Sequence, residues 1–123
     1  VDTSNTNLTS KSFASSQAKL QVMMQYIHQN YKSAISLDDI AACAAISKSS
    51  ALNLFRRYMR ITPINYLIQY RLNEASLLLA KTEKKIVTIS SETGFNSVDY
   101  FCRLFKNHYL LTPTQYRKNK QTF

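Results

Sequence analysis

Glycine occurs once and proline twice in the 123 residues, and tryptophan not at all. Tight β-hairpins draw on glycine for positive φ, so a sandwich or barrel of short strands lacks its turn chemistry here. Two cysteines are too few for a disulfide framework, and neither stands at zinc-ligand spacing from a histidine, so no metal and no cofactor is expected. No apolar run approaches the roughly 20 residues of a spanning helix, and no secretory leader opens the chain. A single glycine rules out a Gly-rich phosphate loop. The 7 Asp and Glu are scattered, with no pair suited to acid–base work. Ser16-Gln17-Ala18-Lys19 fits a Ser-x-x-Lys pattern but lies in a polar stretch without that pattern's partner motifs. No enzyme is expected.

What is present points elsewhere. Apolar and aromatic residues make up 45% of the chain, enough for a core, and they fall in long runs of helix formers. The class is therefore all-α. Sixteen Lys and Arg against seven acids leave a formal charge of +9, which favours a polyanionic partner, nucleic acid before an anionic membrane surface. Cys43, inside Ala-Ala-Cys-Ala-Ala, reads as a small buried hydrophobe of a cytoplasmic protein. The chain begins with Val rather than Met, as a fragment of something longer would, and the sequence leaves open whether it is one.

Residues 1–16 hold eight Ser/Thr and two Asn and read as a flexible tail or linker. From Gln17 the pattern changes: Leu20, Met23, Met24, Ile27 and Tyr31 share one helical face. A short helix follows Ser36, which with Asp39 forms a capping box. A break near 45–47 leads into a helix from Lys48 with Ala51, Leu54, Phe55 and Tyr58 inward. Pro63 opens a longer helix to about Leu79. A short helix runs from about Val87 to Thr93 and is closed by Gly94. The next starts near Ser97, with Phe101, Leu104, Phe105 and His108 inward, and Pro113 opens a last one through Tyr116. About seven helices result.

The chain repeats itself. A shift of 50 places Ser47 on Ser97, Leu54-Phe55 on Leu104-Phe105, Arg56 on Lys106, Thr62-Pro63 on Thr112-Pro113 and Tyr66 on Tyr116. Upstream the shift is 49, with Leu37 on Ile86, Ile40 on Ile89 and Ile46 on Phe95. Each copy is a short helix, a tight turn and a second, basic helix, the plan of a helix-turn-helix. The expected organisation is a tail over 1–16, a first helix-turn-helix subdomain over 17–62, a linker helix over 63–81 and a second subdomain over 82–123. A strut of about 17 residues spans roughly 25 Å, which suits two recognition helices set about one DNA turn apart on an asymmetric site.

At these residues the stretch from about Ile35 to Arg117 resembles the DNA-binding domain of AraC/XylS-type bacterial transcription regulators. The second copy carries the likeness through Ile89, Gly94-Phe95, Ser97, Tyr100-Phe101, Arg103, Phe105-Lys106, Thr112-Pro113 and Tyr116-Arg117. The first carries it through Ser36-Leu37, Ile40-Ala41, Ser47, Ser49, Leu54-Phe55-Arg56, Thr62-Pro63 and Tyr66. It departs at Ala51, Leu52 and Asn53, where Leu and then polar or basic residues are common, and at Ile46. The resemblance implies seven helices, two helix-turn-helix units, promoter binding and activation through RNA polymerase. Members of that family often carry an effector or dimerisation domain outside such a segment, and small stand-alone members also exist.

Position around each helix selects the DNA-facing residues. In the first recognition helix Ser49, Leu52 and Asn53 are the expected base contacts: Asn53 to adenine N6 and N7, Leu52 to a thymine methyl. In the second they are Val98, Asp99, Cys102 and Arg103, with Arg103 on guanine O6 and N7. Asp99 either orients Arg103 or accepts from a cytosine amino group. Lys48, Arg56, Arg57, Arg60, Asn96, Ser97 and Lys106 are the expected phosphate contacts, which set register. Arg71, Lys84, Lys85, Lys118 and Lys120 read as solvated faces, His108 as core, and His28 as lacking a metal partner. The alternative function is a basic helical module that binds an acidic protein without specific DNA readout. No membrane partner is expected.

Overall fold

A computed structural model describes the backbone of residues 2–121 and the side chains of residues 11–121. Seven helices and no strand occur among them: α1 (Asp2–Asn30), α2 (Leu37–Cys43), α3 (Lys48–Met59), α4 (Pro63–Lys81), α5 (Ile86–Glu92), α6 (Val98–Tyr109) and α7 (Pro113–Gln121). They form two compact units. Among the described residues the first comprises 2–30 and 35–66, the second 31–34 and 67–121.

In the first unit α1, α2 and α3 pack pairwise. Leu20, Met23 and Ile27 of α1, Ile40 and Ala41 of α2, and Ala51 and Phe55 of α3 are all buried. Phe55 meets Tyr66 with ring centroids 5.7 Å apart, and Tyr66 Oη lies 2.6 Å from His28 Nε2. In the second unit Leu72, Ala75, Leu79, Ile89, Phe95, Phe101 and Phe105 make the core.

Two expectations need correcting. Helix α1 begins at Asp2 rather than Gln17, so the backbone of the Ser/Thr-rich stretch is helical. Each Ser or Thr costs only a few tenths of a kcal/mol in a helix. Packing extends upstream of Gln17: the Phe13 ring meets Tyr58 of α3 edge-on at 5.9 Å. The second correction is His108, which is exposed. Tyr109 takes the inward place, 4.5 Å from Phe105 and 5.3 Å from Tyr116 between ring centroids.

The helix ends follow from local chemistry. Ser36 Oγ accepts from the Asp39 N–H while the Ser36 N–H donates to the Asp39 carboxylate, a complete capping box. Ser47 and Ser97, equivalent in the repeat, cap α3 and α6 by accepting from the N–H of Ser50 and Tyr100 at 3.1 and 3.2 Å. Replacing either serine with Ala lowers the stability of its unit by about 1 kcal/mol in urea unfolding, whereas Gly there costs only a few tenths. At the other end Arg60 and Leu110 both close their helices in the left-handed conformation, at φ 56° and 64°.

Candidate nucleic-acid interface

The duplication extends to the backbone of the two turns. Between α2 and α3 the Ala45 N–H donates to the Ala42 carbonyl at 3.0 Å and the Ile46 N–H to Ala41 at 3.1 Å. Between α5 and α6 the Gly94 N–H donates to Ser91 at 3.2 Å and the Phe95 N–H to Ser90 at 3.0 Å. Shifted by 49, the two patterns coincide. Each turn pivots on one residue of positive φ, Ala45 at 56° and Gly94 at 94°. The second turn then carries one more residue, Asn96, before its capping serine. Two short helices leading through matched turns into two capped helices are two helix-turn-helix units.

Burial orients the second helix of each unit. Ala51 and Phe55 anchor α3, and Phe101 and Phe105 anchor α6, all fully buried. The opposite side of α3 exposes Ser49, Asn53, Arg56, Arg57 and Arg60, with Lys48 at its start. That of α6 exposes Asp99, Arg103 and Lys106, preceded by exposed Asn96 and Ser97. Leu52, Val98 and Cys102 are half-buried at the edges of these rows, and Cys102 packs against the second core.

The cationic side chains are held lightly. The Arg103 guanidinium lies over the Tyr100 ring at 5.8 Å, and that of Arg57 over Tyr58 at 5.5 Å. Among the described residues the ion pairs are Lys48–Asp38 at 3.6 Å and Lys84–Glu92 at 2.8 Å, so Asp99 and Arg103 are not paired with each other. Lys48 is solvent-exposed, and an exposed pair is worth at most about 1 kcal/mol, so a phosphate competes readily for it. Burial, and then the Asp99 carboxylate, push the Cys102 thiol above its ordinary pKa. The thiol therefore stays protonated at neutral pH, and we expect it to react with iodoacetamide more slowly than a free cysteine at pH 7. A faster reaction would contradict that placement.

Arg71 escaped the sequence argument. Its Nε donates to the Tyr31 carbonyl at 2.7 Å and its Nη2 to Ser33 at 2.8 Å, so it ties the 31–34 segment to its unit instead of facing solvent. Arg117 likewise turns inward, its Nε donating to the Leu79 carbonyl at 3.1 Å. Nothing local announces either contact, because each joins residues about forty positions apart.

A family model described as a helix-turn-helix domain matches residues 40–119. A transcriptional regulator of the AraC-type DNA-binding class from Chromobacterium violaceum is 34% identical, with a TM-score of 0.81 over 88% of this chain and 96% of that one. The chain belongs to the AraC-type family of helix-turn-helix DNA-binding domains. The melibiose operon regulatory protein of Escherichia coli K12 is 32% identical over 96% of this chain. The DNA-binding domain of AdpA, solved with a target DNA, shares the fold at a TM-score of 0.80 and 20% identity, over 84% of this chain and 93% of that one. This AraC-type domain spans 34 to 41% of the length of the first curated relatives it matches. Its departures at Ala51 and Ile46 leave the turn and the N-cap of the first unit intact. No helix among the described residues is long and apolar enough to cross a membrane.

Proposed function

We propose that this AraC-type domain reads an asymmetric promoter site, α3 and α6 each entering a major groove, as the DNA-binding part of a bacterial cytoplasmic regulator. The observation that carries this reading is the matched pair of N-capped helices, each buried on one side and exposing polar and cationic residues on the other. AdpA's domain, with the same fold, was solved on a target DNA. Arg103 forks onto guanine and Asn53 onto adenine, while Leu52 meets a thymine methyl. Ser49, Val98, Asp99 and Cys102 complete the base-facing set. Lys48, Arg56, Arg57, Arg60, Asn96, Ser97 and Lys106 take the phosphates. Activation through RNA polymerase and control by an effector or dimerisation domain belong to the longer regulator, as the greater length of the relatives suggests.

Selection from a random duplex library tests this reading. A single enriched asymmetric sequence is expected, bound with a steep salt dependence. On it Arg103→Ala costs about 1–3 kcal/mol and relaxes preference at one base pair. Failure to enrich any sequence would leave the domain as a module for an acidic protein.

A further inference from the structure

The Ser-x-x-Lys stretch, which has no catalytic setting, lies beside α3. Ser16 and Lys19 of α1 line an open groove of about 250 Å³ together with Ile46, Ser50, Asn53 and Leu54. Ile46 and Leu54 supply its apolar lining. Ser16, Ser50, Asn53 and Lys19 supply its polar lining, with Lys19 the one cation among them. On the α3 wheel Ser50 lies on the flank between the buried side and the row that holds Ser49 and Asn53, so the groove follows one edge of the base-facing row. A helix seated in a major groove has a phosphate backbone along each of its edges. The edge lined by α1 therefore has a backbone running past Lys19.

We propose that Ser16 and Lys19 of α1 form a phosphate-binding element that holds the DNA backbone flanking the base pairs facing Asn53, a contact made from outside either helix-turn-helix unit. This rests on the DNA-binding reading given above. Lys11 supplies the internal control. It is exposed, carries the same charge on the same helix, and at 100° per residue points away from the side that holds Leu20, Met23 and Ile27.

The test is a salt titration of binding to the selected duplex by the unaltered chain and by Lys19→Ala, Lys19→Arg and Lys11→Ala. Lys19→Ala is expected to flatten the slope of log K against log salt by about 0.9, a loss of about eightfold at 0.1 M salt, on every sequence alike. Lys19→Arg restores the slope, Lys11→Ala leaves it unchanged, and melting temperatures of all four agree. If Lys19→Ala and Lys11→Ala behave alike, the element does not exist. If Lys19→Ala alters preference at one base pair, Lys19 touches a base and the phosphate assignment is wrong. Should the unaltered chain bind no duplex, the DNA-binding reading itself fails, a result distinct from either.

Discussion

Gly94→Ala is expected to destabilise the second unit by about 3 kcal/mol or more. Two costs add. At φ +94° a side chain is strained whatever space surrounds it, at roughly 1–2 kcal/mol. A Cβ there also runs into the Tyr31 carbonyl and comes within 2.7 Å of Arg71 Nε. Those two atoms are partners in a hydrogen bond, so relieving the clash breaks it, and bonds to charged groups contribute about 1.5–3 kcal/mol. Burial already lowers the pKa of the Arg71 guanidinium, which marks a charge short of water that depends on the Tyr31 and Ser33 carbonyls. The reverse change at the equivalent site, Ala45→Gly, relieves a left-handed alanine and is expected to be neutral or stabilising. Urea unfolding followed by circular dichroism decides both. An unchanged midpoint for Gly94→Ala would falsify this account of the turn.

Phe105→Ala is expected to cost the second unit about 3–5 kcal/mol, the range for truncating a buried aromatic in a core that cannot collapse onto the cavity. The Phe105 ring is fully buried. Its centroid lies 5.7 Å from Phe101, 4.5 Å from Tyr109 and 5.3 Å from Tyr116, so one truncation removes several ring contacts at once. Domains are held by only 5–15 kcal/mol in total, and such a loss leaves α6 poorly seated. DNA affinity then falls although Phe105 touches no base. His108→Ala, three residues on, changes stability by less than 0.5 kcal/mol because that ring is exposed. Equal losses at the two positions would mean that α6 is rotated relative to the description above.

Most of this architecture is legible in the residues, because the determinants of helix ends are local. Ser36, Ser47 and Ser97 cap where a hydroxyl precedes an apolar period, and Pro63 and Pro113 open helices where a missing N–H costs nothing. Self-comparison at shifts of 49 and 50 exposed the duplication, and the matched turn hydrogen bonds then placed Asn96 as the extra residue of the second turn. The reach of α1 was hidden, because its Ser/Thr-rich start resembles a linker until Phe13 is seen against Tyr58. His108 and Tyr109 were confused because positions 104, 105, 108 and 109 all fall near the inner face, and periodicity alone does not choose between neighbours. Arg71 was read as solvated charge, and the inward turn of Arg117 went unnoticed, because their acceptors are distant backbone carbonyls. The exposed rows on α3 and α6 follow from periodicity; which of those side chains touches which base does not, since that depends on the duplex.

Methylation interference on the selected duplex is the most direct measurement, because guanine N7 lies on the floor of the major groove. Two patches of interference are expected, their centres about 10 base pairs apart on one face of the helix, with Arg103→Ala removing one guanine from the α6 patch only. A single patch, or two on opposite faces, would contradict the claim that α3 and α6 both read DNA from one side.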